Sequence, residues 1–212
     1  MTDLLIVGAG GLGREVFAYA QDLHAGGGPY RAVGFLDDDP DALASFALRV
    51  GIIESLDAHA PRGDAAYVVA IGDPTVRATV AARLGAVSFA TLIHPRAYVA
   101  DSASLGDGSV VAPFAFVGPS AHLGAHALLN TYASAGHDAV FGDACTLSPY
   151  AVVNGAVQLG AQVFLGTGAI VQPRLAVGRR SRVSAGSVVT RAVEPLSLAV
   201  GNPARARVMY AD

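Results

Sequence analysis

The sequence predicts a chain in two parts, a small α/β unit over residues 1–90 and a parallel β-solenoid over residues 91–212. Two observations carry that prediction. Residues 93–194 repeat every six without a break, and residues 4–20 read as strand, glycine turn and helix. In hexads the first position runs Ile93, Val99, Leu105, Val111, Val117, Leu123, Leu129, Ala135, Phe141, Leu147, Val153, Leu159, Leu165, Val171, Val177, Val183, Val189. All 17 are apolar and 15 are Leu, Ile or Val. The fifth position is small, as in Ala97, Ala103, Ser109, Ala115, Cys145 and Ala151, and glycine recurs at the second, as in Gly106, Gly118 and Gly160.

A period of six suits a strand. It is a multiple of the two-residue strand repeat, so positions one and five share a face, whereas a helix of 3.6 residues per turn would rotate the stripe away. A fixed short period means that each unit buries its apolar face only against its neighbours. At three strands per coil, 17 hexads make between five and six coils, a prism about 27 Å tall. A β-sandwich would not keep one phase through loops of varying length.

In the first part, Leu4 to Val7 is a strand, Gly8-Ala9-Gly10-Gly11-Leu12-Gly13 is a G-x-G-x-x-G turn, and Arg14 to Ala20 reads as a helix. Glycines let backbone approach a phosphate, and amides at a helix N-terminus favour an anion. A second strand, Ala32 to Leu36, ends in Asp37-Asp38-Asp39, where acids suit a ribose hydroxyl or a nucleobase. A third, Tyr67 to Ile71, ends at Gly72-Asp73-Pro74, and Thr75 to Leu84 reads as helical. The fingerprint invites a dinucleotide dehydrogenase, but a full dinucleotide fold needs two βαβαβ halves and this segment holds one. A half-Rossmann unit suits a mononucleotide headgroup, so a nucleotide-linked sugar is preferred to NAD. A tight turn with no ligand is the bland alternative.

Composition narrows the classes. The chain has 212 residues, 52 % of them hydrophobic and 15 % charged, no Trp, and a formal net charge of −3. That balance gives no general attraction to nucleic acid or an anionic membrane. One cysteine cannot form an internal disulfide, and Cys145 falls at an inward small position, which reads as core. With no long apolar span and no signal segment, a cytoplasmic protein is expected.

The pattern aliphatic–Gly–x–x–small–x resembles that of the hexapeptide-repeat acyltransferases. The closing Gly201-Asn202-Pro203-Ala204-Arg205 is similar to the segment with which many of them end. The resemblance implies a left-handed parallel β-helix, against the usual right-handed crossover rule. It also implies a homotrimer with acetyl-CoA in the groove between neighbouring prisms. A half-Rossmann unit before such a prism resembles the sialic-acid O-acetyltransferase and bacillosamine and perosamine N-acetyltransferase family over the whole chain. There the N-terminal unit holds the nucleotide-linked sugar, which points to Gly11, Leu12, Gly13, Asp37, Asp38 and Gly72. Many relatives carry His where this chain has Leu12, so the acceptor site is not a copy of theirs.

Three hexads break the pattern together: Asn130 replaces a glycine, Ala135 a branched aliphatic, and His137-Asp138 fall at third and fourth positions, expected at an outward corner. The segment from Asn130 to Asp138 matches the family's active-site segment. The resemblance makes His137 the general base, Asp138 the acid that raises its basicity, and Asn130 a grip on the acceptor. Acyl transfer from a thioester to an amine or hydroxyl needs the acceptor's proton removed, which suits an imidazole oriented by a carboxylate. The developing oxyanion needs a donor, and Gly155, in the interruption Asn154-Gly155, matches the family's backbone amide. By the same resemblance Thr146, Thr167 and Ala185 contact acetyl-CoA, mainly through backbone. Arg179, Arg180, Arg182, Arg205 and Arg207 cluster towards the C-terminal end, where CoA phosphates or plain solvent suit them equally. His24, His59, His94, His122 and His126 lack a comparable context, and the four-residue spacing of His122 and His126 suits a helix. No metal site is expected. The expected reaction is N-acetylation of a 4-amino-4,6-dideoxy sugar on a nucleotide. A sugar O-acetyltransferase and a non-catalytic sugar-nucleotide-binding scaffold are the alternatives.

Overall fold

The computed structural model describes residues 1–209. The first unit comprises β1 (Thr2–Val7), α1 (Gly11–Ala25), β2 (Tyr30–Leu36), β3 (Ile52–Glu54), β4 (Ala65–Val69), α2 (Pro74–Leu84) and β5 (Ser88–Phe89). Its five strands form one parallel sheet in the order β3-β2-β1-β4-β5. Residues 4–7 and 65–69 are buried without alternation, as a parallel sheet covered on both faces requires. β3 and β5 escape the sequence reading because three and two residues are too short to show a period. α1 begins at Gly11, earlier than Arg14, because the glycine turn itself winds into the first helical turn. α2 starts sharply: the Asp73 carboxylate accepts hydrogen bonds from the N–H groups of Thr75 (2.9 Å) and Val76 (3.1 Å), and Pro74 stands in the first turn.

From Leu92 the chain winds into a left-handed parallel β-helix. Each hexad supplies one two-residue strand, 17 in all from β6 (Leu92–Ile93) to β22 (Val188–Val189). Every strand pairs in parallel with the one 18 residues on, as Phe116–Val117 does with Ser134–Ala135. Three flat sheets of six, five and six such strands result. An antiparallel pair, β23 (Ser197–Gly201) and β24 (Ala204–Val208), extends the third. First- and fifth-position side chains fill the interior as one continuous apolar column.

The corners set the hand. Fourth-position residues take the left-handed backbone conformation coil after coil, and eleven of them, from Phe114 to Arg180, are not glycine and sit at φ 55–62°. Each such residue costs about 1 kcal/mol. The conformation also turns the residue's N–H onto a carbonyl one coil earlier, as in His126 to Asp107 and Ala156 to His137, both 2.8 Å. One hydrogen bond is worth about 1 kcal/mol net, so the corner roughly breaks even and burial of the apolar column decides the fold.

The outward residue of each strand falls into one of three columns spaced by 18. Leu92, Val110 and Leu128 lie under the first unit, sharing a buried cluster with Leu4, Ile6 and Val16. Thr146, Phe164 and Arg182 continue that column. A second column, Ser104, His122, Val140, Gln158 and Ala176, faces water. The third, Tyr98, Phe116, Ser134, Val152, Ile170 and Val188, is apolar but for Ser134, and Tyr98 is 57 % exposed.

A hydrogen bond and an ion pair join the two parts: buried His94 Nε2 lies 3.0 Å from Asp22 of α1, and Arg182 donates to Asp73 at 3.0 Å. At the centre of the joint Arg77, 2 % exposed, reaches from α2 into the prism. Among the described residues no helix is long and apolar enough to cross a membrane.

Candidate active site

His137 and Asp138 form the corner that follows the strand Ser134–Ala135. Coil-to-coil hydrogen bonds lock their backbone. Asp138 N–H donates to Pro119 O (3.0 Å), and His137 O accepts from Ala156 N–H (2.8 Å). Both side chains project outward, and His137 Nδ1 stands 2.7 Å from Asp138 Oδ2. A carboxylate only accepts, so it selects the tautomer with hydrogen on Nδ1 and leaves the Nε2 lone pair open. An interaction between neighbouring residues on a locked corner needs no long-range fit to hold this geometry.

Nε2 lies directly over Gly155. A Cβ built on that glycine would come within 2.4 Å of Nε2 and 2.5 Å of Cε1. Gly155 therefore lets the imidazole rest against the coil above, and its own N–H has no hydrogen-bond partner among the described residues. The two flank a cleft of about 450 Å³, walled also by Phe116, Ser134, Asn154, Pro173 and Arg174. An imidazole nitrogen with an available lone pair and a free amide beside it are the groups a transfer to an acyl carbonyl uses. Gly155→Ala is expected to push the ring off its seat. Because the ring is exposed it can swing away, so the melting temperature should change little while kcat falls about tenfold, as misplacement of a reacting group predicts. Steady-state kinetics beside a melting curve check this, and unchanged kcat would contradict it.

Asn130 is not in this cleft. It lies at the preceding corner, on the far side of the apolar sheet, where its Oδ1 accepts from Thr131 N–H at 2.9 Å and closes its own turn. Thr167 and Ala185 lie on that same edge, both exposed, with Thr167 O accepting from Gly186 N–H. One chain thus brings His137, Asp138 and Gly155 together on one edge. It places Asn130, Thr167 and Ala185 on the adjacent edge.

The placement of Thr146 corrects the expectation of a CoA contact. It is 3 % exposed in the column under the first unit. Its hydroxyl donates to Gly72 O (3.0 Å) and accepts from Arg77 Nη2 (2.8 Å). Arg77 Nη1 also donates to Ile71 O (2.7 Å) and Gly72 O (3.2 Å). Gly72 accordingly serves the joint through its carbonyl. Arg77 was missed because an arginine on a helix reads as solvated. The available signal was its place on the stripe Pro74, Arg77, Ala81, Leu84, all buried. Burial lowers its pKa to about 10, still well above neutrality.

The nucleotide-type residues gather at the carboxyl ends of β1, β2 and β4. Gly8, Leu36, Asp37, Asp38, Leu56 and Ile71 line a crevice of about 210 Å³. Asp37 braces the glycine turn, accepting from Ala9 N–H (2.6 Å) and Asp39 N–H (3.0 Å). Asp38 is exposed and accepts only a long bond, 3.3 Å, from Asp57 N–H. Gly11 and Leu12 open α1, and Gly13 packs so tightly that a Cβ would stand 2.0 Å from Gly8 O. Burial pushes the Cys145 thiol up to about 12, which removes it as a nucleophile. Among the described residues no cluster of His, Cys, Asp or Glu is placed to hold a metal ion.

The family model described as the PglD N-terminal domain matches residues 3–84. Among solved structures, the acetyltransferase domain of PglB from Neisseria gonorrhoeae FA1090, in complex with acetyl coenzyme A, is 30 % identical. The alignment covers 96 % of this chain and 98 % of that one, with a TM-score of 0.85. PerB from Caulobacter crescentus, in complex with CoA and GDP-perosamine, is also 30 % identical over 98 % of both chains, with a TM-score of 0.84. WeeI from Acinetobacter baumannii AYE is 27 % identical over 98 % of this chain and all of its own, with a TM-score of 0.82. No curated protein sequence matches.

Proposed function

This chain belongs to the hexapeptide-repeat acyltransferases of the bacillosamine and perosamine N-acetyltransferase family, and we propose that it acetylates the 4-amino group of a nucleotide-linked 4-amino-4,6-dideoxy sugar. The family makes it an acetyl-CoA-dependent sugar acetyltransferase. The observation that carries the finer reading is the His137–Asp138 pair, with Nε2 seated over Gly155 in a cleft. In this reading residues 1–90 hold the nucleotide-linked sugar in the crevice at Asp37 and Asp38, and residues 91–212 perform the transfer in the cytoplasm.

His137 Nε2 takes the proton of the acceptor amine as its nitrogen attacks the thioester carbonyl. Asp138 accepts the Nδ1–H bond and stabilises the imidazolium. Gly155 N–H stabilises the oxyanion that develops on the carbonyl. The C–S bond then breaks, and the imidazolium returns its proton to the departing CoA thiolate. In this reading transfer is direct, and the buried, protonated thiol of Cys145 offers no sulfur nucleophile for an acyl-enzyme.

The second edge enters through another copy of the chain. Phe114, Tyr132 and Tyr150 stack along it at 4.9–5.0 Å, each about half exposed, beside the apolar column headed by Tyr98 and Phe116. Such a surface suits burial against a neighbouring prism, and that packing would carry Asn130, Thr167 and Ala185 towards a partner's His137. A homotrimer satisfies this for all three copies.

The test is thiol release from acetyl-CoA in the presence of UDP-, GDP- and dTDP-linked 4-amino-4,6-dideoxy sugars, their 4-hydroxy counterparts, and sialic acid. Release with one amino sugar and not with its hydroxyl counterpart is expected. Release only with a hydroxyl acceptor would replace the reading with O-acetylation.

A further inference from the structure

The hydrogen bonds of Thr146 and Arg77 cross from the prism to a particular place in the first unit, the Ile71–Gly72 segment that ends β4. Ile71 of that segment walls the nucleotide crevice, and Gly72 follows it directly in the chain. The segment also abuts the glycine turn, since a Cβ on Gly8 would meet Ala70 O at 3.1 Å and Ile71 Cγ1 at 3.2 Å. In parallel α/β sheets the ligand sits outside the carboxyl ends of the strands, so small shifts of this segment change the shape of the site.

The geometry points to Thr146, with Arg77, as positioning residues that set the nucleotide crevice from the prism side. The wall is held by three bonds, from Arg77 Nη1 to Ile71 O and Gly72 O and from Thr146 Oγ1 to Gly72 O. Arg77 is in turn fixed by prism acceptors: His126 O, Ala144 O, Cys145 O and Thr146 Oγ1, all at 2.8–3.0 Å. Thr146 is the one side chain in the set that both accepts from Arg77 and donates to the wall. Removing its hydroxyl frees one side of the Gly72 carbonyl without emptying the joint. Neither residue touches the crevice, and both act through Ile71 and Gly72. The inference rests on the reading of that crevice as the nucleotide site.

The experiment compares wild type, Thr146→Val and Thr146→Ser by calorimetric titration with UDP, GDP and dTDP, and separately with CoA. Steady-state kinetics then follow on the acceptor found. For the nucleotide that wild type binds, Thr146→Val is expected to raise Kd, and KM for the nucleotide-linked sugar, about tenfold, the effect of one lost hydrogen bond to a half-buried carbonyl. Kd for CoA and kcat at saturating sugar should stay within twofold of wild type, and Thr146→Ser should restore the nucleotide Kd. Unchanged nucleotide affinity in Thr146→Val, or a parallel loss of CoA affinity that Thr146→Ser does not repair, would overturn the inference. Failure of wild type to bind any of the three nucleotides would instead overturn the assignment of the crevice, and the inference with it.

Discussion

His137→Asn is expected to lower kcat at least a hundredfold while leaving the Kd for CoA and the melting temperature close to wild type. The side chain projects from a corner whose backbone is fixed by bonds to Pro119 and from Ala156, and its ring is two-thirds exposed, so the core does not depend on it. Asparagine can still bond Asp138 but offers no basic nitrogen at the place Nε2 occupies. Loss of a positioned general base costs two to four powers of ten. Thiol release at saturating substrates measures the effect, with CoA titration and a melting curve as controls. Turnover within a few-fold of wild type in the folded variant would remove His137 as the base.

Arg77→Met is expected to lower stability strongly. Methionine keeps much of the volume but withdraws six hydrogen bonds, leaving the buried carbonyl of Ala144 and the half-buried carbonyls of Ile71 and His126 without a donor, while Cys145 O keeps its bond from Leu128 N–H. Unpaired buried acceptors cost about 1–3 kcal/mol each, and partial relaxation brings the total to about 3–5 kcal/mol. For a chain of this size that lowers the melting temperature by roughly 10 °C. Arg77→Lys should recover little, because one ammonium cannot serve acceptors spread around a guanidinium fork. A melting temperature within 2 °C or so of wild type for Arg77→Met would show that the joint is held by its apolar contacts instead.

The solenoid was legible because its cause is written once per hexad. A first-position aliphatic and a fifth-position small residue are local requirements repeated many times, and no long-range information is needed to see them. The corner position of His137 and Asp138 was legible for the same reason, since a corner lies at a fixed phase of the repeat. The joint was less so. Thr146 looks like any outward residue until its column is read every 18 positions, when Leu92, Val110 and Leu128 show that this sheet is covered. Asn130 illustrates the opposite limit. Seven residues separate it from His137, which in a helix would mean one face, whereas here one strand intervenes and the two stand on different edges. Contacts such as Arg77 to Ala144 join residues 67 apart in different units, and no periodicity in either announces them.

The 18-residue coil makes sequence separation act as an angular address. Removing one whole coil above Gly155 would shorten the prism by a storey yet return every later side chain to its own edge, whereas removing a single hexad would turn all of them by a third of a revolution. Length variation in this part of the chain is therefore quantised. A lineage or an engineer can add or delete storeys to change how much of the prism stands above His137, but only in units that preserve its alignment with Gly155.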